Sequence, residues 1–201
     1  MKTPVTVHVV LDKSGSMEKY AEAIILGYND FVQRLRSDQK VAYKLALTLF
    51  DTRVLVGSPV ALKDAVLMSA ENYCPHGAKA LYDAIFKSIK ATNGKHIVLV
   101  VMDAIENASL DHSSREVKHL VESLGDKWTF VFLGARHDPW EESAKIGFRM
   151  GNTMIFRNTP RGQKNLWSIL AKNVMALAAA SAPSTPYFFS VEDSDLLKHT
   201  I

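Results

Sequence analysis

Two kinds of hydrophobic segment alternate along the chain. Short apolar runs with the β-branched content of buried strands occupy residues 5–11, 43–50, 96–102 and 128–133. Apolar side chains at helical spacing occupy residues 20–35, 80–92, 113–124 and 162–181. This alternation predicts an α/β domain in which helices flank a mainly parallel, doubly wound, Rossmann-like sheet.

Local signals mark several boundaries of these elements. Residues 51–53 form a connection short enough for a hairpin to a second apolar run at residues 54–60, which predicts one antiparallel edge strand. Ser113 and Glu116 have the spacing of a capping box, and Asn93-Gly94 is typical of a helix C-terminus. A further short helix and a short final strand are predicted at residues 138–147 and 153–156.

A proline-containing break at residues 182–186 separates the last predicted helix from the end of the chain. We therefore expect one domain over residues 1–182 and a C-terminal tail over residues 183–201. The tail contains Tyr187, Phe188 and Phe189. Because such apolar side chains are rarely left in solvent without a function, we expect the tail to pack back on the domain, the alternative being a partner contact.

Composition narrows the class of protein. The chain has 201 residues, 47% of them hydrophobic, which is enough for a substantial core. Its net charge of +3 comes from scattered lysines and arginines, so nucleic-acid binding is not indicated. Cys74 is the single cysteine, which excludes an intrachain disulfide, and we expect it to be a buried thiol. Neither a signal peptide nor a membrane-spanning segment is indicated, which predicts a cytoplasmic protein without a membrane partner.

Candidate chemistry follows the first strand directly. Asp12, Ser14 and Ser16 supply one carboxylate and two hydroxyls, and such oxygen donors suit Mg²⁺. The segment Asp12-Lys13-Ser14-Gly15-Ser16 resembles the Asp-x-Ser-x-Ser loop of von Willebrand factor A (vWA) domains, the metal-ion-dependent adhesion site (MIDAS). Because a string of this kind is weak evidence by itself, the interpretation depends on further matches.

Two other loops extend the resemblance, which runs from residue 5 to about residue 147. Asp103 and the following Glu106-Asn107-Ala108-Ser109 are similar to the Asp-Gly-x-Glu-Asn-Ala-Ser segment of compact bacterial and phage A domains, with Ala104 in place of the glycine. Residues 74–85 resemble the pattern Pro-x-Gly-Gly-Thr-Ala-Leu-x-Asp-Ala-Ile, and Lys79 occupies the position of its metal-contacting threonine. The resemblance implies the vWA fold and the metal ligands Asp12, Ser14, Ser16 and Asp103.

Lys79 departs from the family pattern in a way that changes the expected chemistry. An ammonium group has no lone pair and cannot bind a metal. At about 4 Å and an effective dielectric of about 20, it repels a divalent ion by roughly 8 kcal/mol before screening. Two arrangements remain open. Either Lys79 enters the pocket and pairs with Asp12 and Asp103 in a metal-free site, or it turns outward and the proposed ligands hold Mg²⁺ weakly.

The resemblance implies a non-enzymatic module that recognises a protein partner through an acidic side chain at this site. Lys79, His76 and Glu106 are the expected partner-contacting residues, and no catalytic residue is assigned. Two alternatives stay open: a Mg²⁺-dependent hydrolase that uses Asp12 and Asp103, and an assembly component that retains a relic of the site. The sequence contains no phosphate-binding P-loop, dinucleotide fingerprint or nucleophile elbow.

Each candidate also has a purely structural interpretation. Ser14 and Ser16 are suited to cap a helix, and Glu106 is suited to brace its own loop. His76 fits a solvated loop position. His8, which alternates within the first strand, fits a hydrogen-bonded histidine of the sheet.

Overall fold

The structure is a computed structural model that describes residues 4–92, 96–103, 105–135, 138–180 and 184–198. The strands are β1 (Val5–Asp12), β2 (Tyr43–Phe50), β3 (Val54–Leu55), β4 (Val60–Ala61), β5 (His96–Met102), β6 (Trp128–Gly134) and β7 (Thr153–Ile155). The helices are α1 (Ala21–Ser37), α2 (Leu81–Lys90), α3 (Ser114–Leu124), α4 (Pro139–Lys145), α5 (Pro160–Ala179) and α6 (Val191–Lys198). No helix within these ranges is long and apolar enough to cross a membrane.

The strands form a single sheet in the order β3-β2-β1-β5-β6-β7, and β4 also pairs with β2. The strands β1, β2, β5, β6 and β7 pair in parallel, whereas β3 and β4 run antiparallel to β2. The predicted fold class is therefore confirmed. Because the chain continues from β1 to β2 on one side and later crosses to β5 on the other, the carboxyl ends of β1 and β5 form the switch point where ligands bind in such sheets.

Apolar side chains of β1 alternate between two cores. Val7, Val9 and Leu11 face one core with α1 and α5, where the rings of Tyr28 and Trp167 meet edge to face at 5.7 Å. Val10 faces the other core, which α2 and α3 cover. Both faces of the central strands are buried, as their continuous hydrophobic runs predict.

The edge of the sheet differs from the prediction. The expected strand over residues 54–60 consists of two short strands, β3 and β4, because residues 56–59 leave the ladder. Pro59 has no N–H to donate, and Gly57 lies against the backbone carbonyl of Leu47, where a side chain would collide. The capping box of α3 is confirmed, since Glu116 N–H donates to Ser113 Oγ at 3.3 Å and Ser113 N–H donates to Glu116 Oε2 at 2.8 Å.

The tail packs on the domain and adds α6, a helix that the sequence pattern does not reveal. Phe188 is buried, and its N–H donates to Asn152 Oδ1 at 2.9 Å. Asp193 is also buried, forms an ion pair with Lys172 and accepts a hydrogen bond from Asn173 at 2.9 Å. The predicted helix stop at Asn93-Gly94 and the predicted division at residues 182 and 183 lie outside the described residues, so both stay predictions.

Candidate functional site

The four predicted ligand residues lie together at the switch point. Asp12 is the last residue of β1, Asp103 follows β5, and both are fully buried. Asp12 Oδ1 accepts a hydrogen bond from Ser14 N–H at 2.7 Å, which turns the chain away from the strand. Ser16 Oγ donates to Asp103 Oδ1 at 2.8 Å and lies 3.2 Å from Ser14 Oγ. The serines thus connect the loops that follow the two central strands.

The Lys79 side chain points into this cluster. Its Nζ donates to Ser16 Oγ at 3.0 Å and lies 3.5 Å from Asp103 Oδ1 in an ion pair, and only 9% of the side chain is exposed. The inward arrangement is therefore the one observed. It differs in one respect from the expectation: within the part of the chain that the structure describes, Lys79 pairs with Asp103 and affects Asp12 through its charge, not through a direct ion pair.

Two carboxylate oxygens of the site have no hydrogen-bond partner among the described residues. Asp12 Oδ2 and Asp103 Oδ2 are buried and accept no hydrogen bond from any described residue. Burial raises the pKa of the Asp12 carboxyl to about 6, although hydrogen bonds from Ser14 and the charge of Lys79 act to lower it; the charge of Asp103 adds to the increase. Because most buried polar atoms in proteins have a partner, these two oxygens make the cluster a candidate binding position.

The donor set can be tested against the Mg²⁺ that the sequence predicts. Carboxylate and hydroxyl oxygens are its preferred ligands, and the two unpartnered oxygens would suit it. The ammonium of Lys79, however, lies against Ser16 and Asp103, two of the four expected ligand residues. The described residues also contain no group of three or more His, Cys, Asp or Glu side chains that could hold a metal ion. As placed, the residues do not fit a divalent ion beside Lys79.

The loop before α2 is fixed on both sides of the site. Lys79 N–H donates to Asn107 Oδ1 at 2.9 Å, and Lys79 O accepts from Asn107 N–H at 3.1 Å and Ala108 N–H at 3.0 Å. On the other side, Gly77 O accepts from Gly15 N–H at 3.1 Å. Gly77 has a φ of +70°, a conformation that favours glycine. These hydrogen bonds fix the position of the Lys79 backbone and therefore of its Cα.

A second charged cluster, which the sequence interpretation missed, lies on the same edge. Lys13 and Asp51 form a buried ion pair, and His76 Nδ1 lies 3.2 Å from Asp51 Oδ2. Burial by itself would raise the pKa of Asp51, but the hydrogen bond from Lys13 and the neighbouring positive charges hold it below its usual value. Asp51 directly follows β2, as Asp103 follows β5, and that position was the available signal. His76 is half exposed, at the rim where the sequence places it.

Glu106 has a structural role in addition to the partner contact predicted for it. Its carboxylate accepts from the backbone N–H groups of Leu81 and Tyr82 at the start of α2. It also accepts from Ala108 N–H at 2.7 Å and Ser109 N–H at 2.6 Å. A negative charge at a helix N-terminus is favourable, so Glu106 joins α2 to the loop after β5. Its contact with a partner stays a prediction.

Two further side chains of the loop before α2 differ from the sequence interpretation. Tyr73 is buried, and its hydroxyl donates to the backbone oxygen of Asp12 at 2.7 Å, a contact that no local pattern indicates. Cys74 was expected to be buried but is exposed, and its thiol donates to Ala70 O at 3.1 Å. The expectation was wrong because Cys74 lies in a surface loop, outside the helices and strands that form the cores.

Comparison with protein-family models and with curated protein sequences finds no match. Solved structures of similar fold exist. Proximal thread matrix protein 1 of the mussel byssus is 14% identical, with a TM-score of 0.65, and the match covers 85% of this chain and 45% of that protein. Another structure of that matrix protein has a zinc-occupied MIDAS motif; it has a TM-score of 0.60 at 15% identity, over 84% of this chain and 47% of that one.

A von Willebrand factor type A protein from Catenulispora acidiphila is 13% identical with a TM-score of 0.64, over 86% of this chain and 43% of that one. The ArnB paralog VWA2 from Sulfolobus acidocaldarius is 18% identical with a TM-score of 0.59, over 86% and 45%. This chain thus spans less than half the length of each of these proteins. Together with the sheet order and the position of the site, the similarities show that the chain has the von Willebrand factor A fold.

Proposed function

We propose that this chain is a non-enzymatic vWA-like module that binds a protein partner at the carboxyl edge of β1 and β5. The observation that carries the proposal is the buried charged cluster of Asp12, Asp103 and Lys79, at the sheet's switch point. Exposed Asn107 is hydrogen-bonded to the backbone of Lys79, and half-exposed His76 lies beside Asp51 on the same edge of the sheet. The proposed protein-binding function is supported by the similar fold of a matrix protein, proximal thread matrix protein 1.

An acidic side chain of the partner would meet the Lys79 ammonium. That group has three hydrogens, and the described contacts direct it to Ser16 and Asp103. Ser16 is only half-buried and lies against the ammonium, and we propose that the partner's carboxylate approaches across it. The partner's negative charge would then orient the partner on the site, and contacts with the exposed residues around it would provide specificity.

Selection from a peptide display library, carried out in the presence of EDTA, tests this proposal. We expect enriched peptides to contain Asp or Glu, and their amide analogues to bind at least about tenfold more weakly, the loss of one charge-assisted hydrogen bond. Lys79→Met should reduce binding by a similar factor. Lys87→Met is the matched control, because Lys87 is an exposed lysine on α2 that pairs with Asp111 away from the site. Undiminished binding by folded Lys79→Met would contradict a site-centred interaction.

The hydrolase alternative is tested separately with bis(p-nitrophenyl) phosphate and Mg²⁺ or Mn²⁺. We expect no turnover above background, because Lys79 occupies the space in which Asp12 and Asp103 would share an ion. Metal-dependent turnover by the wild type that Asp12→Ala abolishes would replace the binding proposal with an enzymatic one.

A further inference from the structure

We infer that the Lys79 ammonium is the resident cation of this site and excludes a divalent ion from it, so that the binding face works without metal. The inference deepens the proposed function, since it concerns the regulation of the same site. It predicts that the partner-binding state does not depend on the concentration of divalent ions.

The first support is the position of the ammonium. Lys79 Nζ lies 3.0 Å from Ser16 Oγ and 3.5 Å from Asp103 Oδ1, so it contacts an oxygen of each loop that follows a central strand. These oxygens belong to two of the four predicted ligand residues, so the ammonium already bonds to part of the predicted ligand set. Because only 9% of the Lys79 side chain is exposed, the ammonium lies inside the cluster.

The second support is charge. Asp12 and Asp103 are fully buried, and the ammonium of Lys79 is the positive group placed against them. A divalent ion about 4 Å from that ammonium, at an effective dielectric of about 20, would bind up to about a millionfold more weakly before screening. The carboxylate oxygens of Asp12 and Asp103 are donors of the kind that a divalent ion such as Mg²⁺ prefers. Lys79 is therefore the residue that opposes metal binding.

The third support is the rigidity of the lysine's attachment. Asn107 accepts from the Lys79 N–H and donates to the Lys79 carbonyl, at 2.9 Å and 3.1 Å, and Ala108 N–H donates to the same carbonyl at 3.0 Å. The backbone of Lys79 is thus held to the loop after β5, next to Asp103. To leave the cluster, the side chain would have to break its ion pair with buried Asp103 and withdraw its charge from buried Asp12, which is unfavourable.

Isothermal titration calorimetry with Mg²⁺ and Mn²⁺ alone, at neutral pH, tests the inference. We expect no saturable binding by the wild type at millimolar metal. Lys79→Thr should bind at least about a hundredfold more tightly, because it removes the charge and adds a hydroxyl. Lys79→Met separates the two effects, since it removes the charge but adds no ligand. Lys87→Thr makes the same substitution at an exposed site and should behave as the wild type does.

Metal binding by Lys79→Thr should disappear again in the Lys79→Thr, Asp12→Asn double variant. Sub-millimolar binding by the wild type would overturn the inference, and so would a folded Lys79→Thr variant without gain. Circular dichroism shows which variants are folded. If Lys79→Thr does not fold, the titrations of the wild type and of Lys79→Met still test whether the lysine charge excludes the metal. These titrations contain no peptide, and the peptide selection contains EDTA. Failure of this inference and failure of the proposed function therefore give different results.

Discussion

The burial of His8 at the centre of the sheet predicts that the stability of the fold falls as the pH is lowered. The residue is fully buried, and its Nε2 lies 2.8 Å from Thr48 Oγ1 on β2. Ser88 Oγ donates to the same threonine oxygen at 2.8 Å, so the threonine hydrogen is available to donate to His8 Nε2. That arrangement requires a neutral imidazole. His8 Nδ1 is buried and has no hydrogen-bond partner among the described residues.

Protonation of His8 therefore opposes folding. Burial lowers the pKa of His8 from 6.5 to about 4, and the charge of His96 contributes to the decrease. Because the unfolded chain binds the proton more tightly, this contribution to stability is complete above about pH 6.5 and is lost as the pH falls toward 4. At 1.36 kcal/mol per pKa unit, the total loss is about 3 kcal/mol, and about 2 kcal/mol of it is lost by pH 5.

Urea unfolding of the wild type and His8→Gln at several pH values between about 7.5 and 5 measures this loss. The comparison is needed because Asp12, whose pKa is raised to about 6, acts in the opposite direction. Its contribution to stability is lost as the pH rises through about 6, so acidification restores part of it. The difference between the two proteins isolates His8. If the wild type loses no more stability than His8→Gln, protonation of His8 does not destabilise the fold.

Three other predictions concern the packing and capping seen in the structure. Gly27→Ala should destabilise by about 1–3 kcal/mol in urea unfolding, since the added Cβ lies 2.9 Å from Cγ of buried Trp167, and an unchanged midpoint would show that the helices adjust freely. Glu106→Gln should lower the free energy of unfolding by about 2 kcal/mol in the same assay, because the single amide oxygen cannot accept all of the backbone N–H groups that donate to the carboxylate. Glu106→Asp, whose side chain is shorter, should not have wild-type stability either. Ser113→Ala should cost about 1 kcal/mol and lower Tm by about 2–4 °C in calorimetry, whereas Ser114→Ala, one residue inside the helix, should change Tm much less.

The central strands and most helices could be predicted because their signals are local. The run that forms β5 is apolar from residue 97 to residue 102, and the strand His96–Met102 has the predicted bounds. The pair Ser113 and Glu116 similarly locates the start of α3 within a few residues of sequence. The edge strand and α6 were less predictable. Their structure depends on contacts with distant residues, such as Gly57 against Leu47 and Asp193 against Lys172.

The candidate site was predictable in position but not in its charge arrangement. Asp12 and Asp103 could be placed together because both follow parallel strands, whose carboxyl ends share one edge. The direction of the Lys79 side chain could not be derived from spacing, since it depends on how Asn107 holds the lysine backbone. Tyr73 illustrates the same limit: its hydroxyl reaches the Asp12 carbonyl from a loop 61 residues away in sequence.

The two charged clusters at this edge differ in balance, and the difference bears on function. Lys13 and Asp51 form a buried pair of equal and opposite charge. Within the described part of the chain, Asp12 and Asp103 together face one ammonium, that of Lys79, and each carboxylate has a buried oxygen without a partner. The first cluster shows that a balanced pair fits between these loops. Because buried charge without a balancing partner is unfavourable, the balanced pair fits a structural role for Lys13 and Asp51, and the imbalance fits the binding role proposed for Asp12 and Asp103.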